Sequence, residues 1–201
     1  MNKKEIIDYF DSKAAIWDSL QNDSKDKIDT ILTLANIGEG NRVLDVACGT
    51  GVLFDALLER KVKLTAIDIS PKMCAIAKEK YKDKEVEIIN ADVEEYPFNT
   101  KFDRIIVYNA FPHFISPVRL ITNLATLLST DGLLVIAHSM GRKMIMHHHK
   151  GIKEDISRDL ISAEECAHIF SSCLECEMKL SNDDFYFISG RKKEDKLLKS
   201  C

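Results

Sequence analysis

The residues best placed for chemistry are three aspartates and a glycine turn. Asp45 sits within the apolar run Arg42 to Cys48, which breaks at Gly49-Thr50-Gly51, while Asp68 and Asp92 each close a similar run further along the chain. Carboxylates so placed can take paired hydroxyls, an exocyclic amine or a cation. The glycines let backbone approach a bound group closely, and a helix starting behind them offers unpaired N–H donors. Histidines form a second group: His113 follows a fourth run, and His138, His147, His148 and His149 follow a fifth. Imidazole near neutrality can act as a general base, hold zinc, iron, copper or nickel, or serve as a hydrogen-bonded loop residue. All three readings stay open here. Neighbours on a helix point about 100° apart, so at most two of the triplet could share one ion.

What must position these groups is a parallel sheet. Val43, Leu44 and Val46 make a short buried strand, and Val52, Leu53, Ala56 and Leu57 then recur at helical spacing, so the segment is strand, glycine turn, helix. Lys63 to Ile69, Val86 to Asp92, Phe102 to Ala110 and Gly132 to His138 read as further strands. Between them lie helices over Lys72 to Tyr81, opened by Ser70-Pro71, and over Val118 to Leu128, stopped by Ser129-Thr130-Asp131-Gly132. Residues 142 to 160 are an insertion holding the histidine triplet. Ser162 with Glu165 predicts a capping box, and residues 175 to 181 and 185 to 189 alternate as an antiparallel hairpin. Ahead of the sheet, residues 3 to 37 read as two helices. Their apolar faces are Ile6, Ile7, Phe10, Ala14 and Trp17, then Ile28, Ile31 and Leu32, parted by the polar Gln21-Asn22-Asp23-Ser24. In an open α/β sheet the loops that follow the strands border the crevice where ligands bind. The acids, Asn109 and the histidines therefore converge on one rim.

Spacing narrows the ligand. A dinucleotide fingerprint wants a small residue three places after the second glycine, and that place holds Phe54; Asp45 would also repel a pyrophosphate. An acid there suits a cationic ligand. The stretch VLDVACGTG resembles motif I of class I S-adenosylmethionine (AdoMet) methyltransferases, in their small-molecule, type 11/25-like branch, and the likeness runs from residue 5 to 190. It implies an α/β, Rossmann-like seven-stranded sheet, six strands parallel and one C-terminal strand antiparallel, with lid helices at the N-terminus. It also implies roles. Asp45 would lie near the amino-acid end of AdoMet, with Ala47, Cys48, Gly49 and Gly51 under the ligand. Asp68 would take the ribose hydroxyls, Ile69 and Met73 would flank the adenine, Asp92 would take its amino group, and the Val93 N–H would meet the ring. Tyr9 to Asp18 resembles the family's lid, which makes Phe10 and Trp17 candidates for closing over the cofactor. Tyr108-Asn109-Ala110-Phe111 lacks the paired prolines of enzymes that methylate adenine nitrogen and resembles the looser small-molecule form. Asn109, His113 and His138 are accordingly expected to meet the acceptor, with Asn109 touching the cofactor as well.

Composition bounds the rest. At 201 residues, 45% hydrophobic and 30% charged, the chain suits one α/β domain with a sizeable core. Its formal charge of -4 is mixed along the sequence, with no basic stripe that would point to nucleic acid. No apolar run has the length of a membrane span, and the N-terminus lacks a secretory apolar core. Six scattered cysteines read as reduced thiols of a cytoplasmic protein. Cys166, Cys173 and Cys176 read as small buried hydrophobes, so no metal is expected on them. The expected organisation is a lid segment over 1–37, an AdoMet-binding domain over 38–192 and a charged tail over 193–201. The expected activity is methyl transfer from S-adenosyl-L-methionine to a small molecule, by a monomer or homodimer. Two rivals are a non-catalytic AdoMet-binding regulatory module and an NAD-type oxidoreductase.

Overall fold

The computed structural model describes residues 1–21, 23–149 and 156–192, leaving aside the side chains of 148 and 149. The tail and the side chains of His148 and His149 lie outside the described residues.

Seven strands form: β1 (Arg42–Val46), β2 (Lys63–Asp68), β3 (Val86–Asn90), β4 (Phe102–Tyr108), β5 (Leu128–His138), β6 (Leu174–Ser181) and β7 (Tyr186–Lys192). They pair in the order β3-β2-β1-β4-β5-β7-β6, with β7 antiparallel to both its neighbours and the other strands parallel. The expected six-plus-one sheet is thus present. Its strand order turns back between β1 and β4, and that reversal opens a crevice at their C-terminal ends.

The central strands are mostly apolar because helices cover both faces. On one face Leu44, Val46, Ile105, Val107, Leu134 and Ile136 pack under α6 (Pro117–Leu127) and α8 (Ala163–Ser171). On the other, Val43, Ile106 and Val135 meet α3 (Lys25–Leu34), α4 (Phe54–Glu59) and α5 (Pro71–Lys80). Caps fix where these helices start. Ser24, Ser70 and Ser116 each accept a backbone N–H of the first turn, and Ser162 and Glu165 complete the expected capping box.

Three boundaries differ from the sequence reading. Val52 and Leu53 belong to the glycine turn, and α4 starts at Phe54. The fifth strand starts at Leu128 instead of Gly132: the supposed stop is an irregularity inside the strand, where the register with β4 shifts and Asp131 takes φ 61°. The first helix is also interrupted, running as α1 (Lys3–Lys13), a 3-10 turn (Ala14–Ile16) and α2 (Trp17–Leu20). The insertion opens with α7 (Arg142–His149). Among the described residues no helix is long and apolar enough to cross a membrane.

Candidate active site

An open cavity, about 1020 Å³ when the solvent space at its mouth is included, occupies the crevice. Its floor is the turn after β1. Ala47, Gly49 and Gly51 all have left-handed backbone, at φ 58°, 56° and 91°. For Ala47 that conformation costs roughly 1 kcal/mol, and such strain collects where a ligand is held. A Cβ on Gly51 would come within 2.8 Å of the Phe54 ring, so that ring lies beneath the turn, fully buried against Tyr81 and off the cavity wall. Phe54 supports the floor and does not fill the site.

Asp68 lies on the wall and braces the turn. Its Oδ2 accepts the Gly49 N–H and its Oδ1 accepts the Ser70 N–H, both at 2.8 Å. Burial raises its carboxyl to about 6 against the opposing pull of those two bonds. Asp45 lies a layer below, 2% exposed, and its Oδ2 has no hydrogen-bond partner among the described residues. Burial first, and the Asp68 charge second, push it up to about 8. Ala47, Cys48, Ile69, Met73 and Val93 line the wall between these acids and Asp92, whose Oδ1 accepts the Glu94 N–H at 2.9 Å and whose Oδ2 is ion-paired to Lys3.

The N-terminal helices form the roof. Phe10 packs edge-on against Trp17 and against His113, with ring centres 5.4 and 4.9 Å apart, and the Trp17 indole nitrogen would sit 3.5 Å from a Cβ on Gly49. Three side chains that sequence reading missed, Lys3, Asp11 and Asp18, fasten this roof with two polar contacts each. Lys3 reaches Asp92 and Glu95; Asp11 accepts from Ser70 Oγ at 2.5 Å and from the Lys72 N–H at 3.2 Å. Asp18 accepts from Thr50 Oγ1 at 2.5 Å and pairs with Lys80 at 2.8 Å. Burial works against the Asp18 charge, yet Lys80 and Thr50 hold its carboxyl below the ordinary range. The available signal was two acids seven residues apart beside the apolar stripe of the lid. Asp18→Ala is expected to loosen the lid, so that limited proteolysis within 14–21 speeds up several-fold. An unchanged cleavage rate would mean that the aromatic contacts alone hold the roof.

At the other end stand Tyr108, Asn109 and His113, all on the wall. Asn109 has φ 52°; its Oδ1 accepts the Ser139 N–H at 3.0 Å, and its Nδ2 donates to Asp23 and to Ser139 Oγ. His113 Nδ1 lies 3.1 Å from the Ile156 carbonyl, so the close of the insertion fixes the ring. His138 is not brought to the cavity. It follows Leu134 and Ile136 on the face under α6 and α8, is 2% exposed, and packs against Tyr186, its partner in β7. His147 is exposed on α7. No three His, Cys, Asp or Glu side chains gather as metal ligands among the described residues.

A glycine floor at the switch point of a mixed seven-stranded sheet, with carboxylates beyond neighbouring strand tips, defines a nucleoside-binding protein of the Rossmann-like class. Comparison with known proteins names the family. The methyltransferase domain family matches residues 43–132. The chain is 31% identical over 141 residues, 68% of its length, to malonyl-[acyl-carrier protein] O-methyltransferase of Acetivibrio thermocellus, covering 50% of that protein. It is 29% identical over 126 residues, 60% of its length, to (S)-coclaurine N-methyltransferase of Thalictrum flavum subsp. glaucum, covering 35% of it. The chain thus spans half the length, or less, of these curated relatives. Its fold matches N-methyltransferase NodS of Bradyrhizobium japonicum WM9, solved with S-adenosyl-L-homocysteine, at a TM-score of 0.74 and 17% identity, over 94% of this chain and 99% of that one. The domain match and these relatives support a class I AdoMet-dependent methyltransferase, a family whose cofactor is S-adenosylmethionine.

Proposed function

We propose that this chain transfers a methyl group from AdoMet to a small-molecule acceptor. The observation that carries the reading is one roofed cavity running from the Asp68 and Asp92 carboxylates to Asn109 and His113. The residues fit the cofactor. Asp45 keeps a buried carboxylate oxygen without a protein partner, which suits the approach of an ammonium group, and the left-handed floor leaves backbone exposed to a ligand. Asp68 retains lone pairs for two ribose hydroxyls beyond its backbone bonds, Ile69 and Met73 offer apolar contact to a purine, and Asp92 with the Val93 N–H would read its edge.

When bound, AdoMet supplies a methyl group already activated on a sulfonium. The protein's share is alignment and dryness: Phe10 and Trp17 close the roof, residues 1–37 acting as the lid of the 38–192 domain, and Asn109 fixes the end of β4. His113 is the candidate base. With Nδ1–H donating to the Ile156 carbonyl, Nε2 becomes the ring's proton-accepting nitrogen. His138, packed away under α8, has no such position, so the acceptor side rests on Asn109 and His113. The enzyme would work in the cytoplasm as a monomer or homodimer; its described cysteines are all free thiols, in keeping with a reducing compartment.

Calorimetric titration with S-adenosylhomocysteine and with NADH tests this reading, followed by an acceptor screen that detects S-adenosylhomocysteine release. Binding of the first ligand alone, with turnover of some acceptor, is expected. Binding of NADH instead would overturn the proposal, and cofactor binding with no turnover across the screen would favour the regulatory module.

A further inference from the structure

Two polar groups at the acceptor end, Tyr108 on the cavity wall and Asp23 behind the wall residues Gln21 and Asn109, are not used by the methyl-transfer reading. Tyr108, the last residue of β4, is 4% exposed and lines the wall, and its buried hydroxyl stands among Asp23, Asn109 and Ser139 without a well-formed hydrogen bond to any described residue. Leaving such a hydroxyl unpaired costs about 1–3 kcal/mol, so it marks a place where a ligand completes the bonding. Beside it lies Asp23. Asn109 Nδ2 donates to its Oδ2 at 3.1 Å and to its Oδ1 at 3.4 Å. With the Gln21 amide turned so that its oxygen accepts the Trp17 indole N–H at 2.9 Å, its nitrogen donates to Asp23 Oδ2 at 3.1 Å.

These amide donors are neutral. Among the described residues Asp23 enters no ion pair. The two nearest lysines of α3 are turned elsewhere, Lys25 pairing with Glu59 at 3.1 Å and Lys27 placing Nζ 2.9 Å from the Ser139 carbonyl and 5.4 Å from the Phe185 ring centre. Lys3, the lysine on the cavity wall, is held at the opposite end by Asp92 and Glu95. The walls between are Phe10, Trp17 and Phe114, whose ring faces attract cations. Burial, then the Asp23 charge, push the Tyr108 phenol well above its ordinary range, so it stays a neutral hydroxyl able to donate or accept. A carboxylate oriented by amides, an unpaired hydroxyl and aromatic walls are complementary to a protonated amine and repel an acid.

We propose that Asp23 and Tyr108 bind the acceptor and that the acceptor is an amine on an apolar or aromatic frame. This rests on the methyltransferase reading above and deepens it. The bound ammonium gives one proton to His113; the lone pair so freed bonds to the methyl carbon while the carbon–sulfur bond breaks with its electrons left on sulfur. Asp23 balances the positive charge that nitrogen regains.

Trp17 is the chain's single tryptophan and lies on the wall, so its fluorescence reports occupancy. With S-adenosylhomocysteine saturating, the probes are 2-phenylethylamine, 2-phenylethanol and 3-phenylpropionate. The amine is expected to bind at least tenfold more tightly than either of the other two. Asp23→Asn should abolish that preference and Tyr108→Phe should weaken the amine threefold or more, both with S-adenosylhomocysteine affinity changed less than threefold, which also reports an intact fold. The assignment is overturned if the alcohol or the acid binds as well as the amine, or if Asp23→Asn keeps the preference. Failure of the wild-type chain to bind S-adenosylhomocysteine would instead sink the methyltransferase reading itself.

Discussion

Asp68→Asn is expected to weaken S-adenosylhomocysteine binding between about tenfold and a hundredfold. The wild-type carboxylate has about four lone-pair sites, and the Gly49 and Ser70 N–H groups take two of them. Two remain for the ribose hydroxyls. Asparagine offers one oxygen, so in either orientation its NH₂ faces a backbone donor, and at least one hydroxyl loses a charge-assisted bond worth about 1.5–3 kcal/mol. At roughly 1.4 kcal/mol per factor of ten, that is the stated range. Asp68→Ala removes both oxygens and should lose at least as much. A second consequence concerns pH. With the carboxyl raised to about 6 by burial, affinity in the wild-type chain should fall as pH drops through that value, since the protonated group accepts fewer bonds. Titration calorimetry at pH 5 and pH 8 measures both effects, and thermal unfolding shows whether the turn survives the substitution. An unchanged dissociation constant in a well-folded variant would place the sugar away from Asp68.

How much of this was legible follows from how far apart the partners lie in sequence. β1, the glycine turn and α4 could be read because buried parallel strands are continuous apolar runs and glycine ends them. Asp68 and Asp92 could be found because each closes such a run. The lid's anchors could not: Asp18 meets Thr50 across 32 residues and Lys80 across 62, and Asp23 meets Asn109 across 86. Nothing local in Gln21-Asn22-Asp23-Ser24 separates a polar linker from a segment that meets the end of β4. His138 shows the complementary failure. Its place at a strand end was legible, but whether a strand end faces a crevice depends on its neighbours, and β7 lays Tyr186 beside it. The Gly132 boundary failed because a bulge and a helix stop use the same residue types.

Asp45 should make both stability and cofactor binding depend on protons. Burial, then the Asp68 charge, raise its carboxyl to about 8, so at pH 7 the ligand-free chain holds this group mainly protonated. In the unfolded chain it titrates near ~3.9. Between those values the folded state binds more protons than the unfolded one, so stability is greatest at the acid end of the window and declines as pH rises through it, by up to ~1.4 kcal/mol per pH unit for a single such group. Asp68, raised to about 6, adds its share only over the lower part of that window. The ligand-free chain is therefore expected to melt several degrees lower at pH 8.5 than at pH 6. Asp45→Asn, of the same size and neutral at every pH, should remove most of that loss. Binding acts on the same proton from the other side. If the cofactor's ammonium group approaches the unpartnered Asp45 Oδ2, it favours the carboxylate, and the proton must leave. Calorimetric binding enthalpies measured at pH 7 in phosphate and in Tris should then differ by the buffers' ionisation heats, scaled by close to one proton released. In Asp45→Asn the buffer dependence should vanish and the affinity should drop. Identical enthalpies in the two buffers for the wild-type chain would leave Asp45 as a buried acid that supports the turn without sensing the ligand.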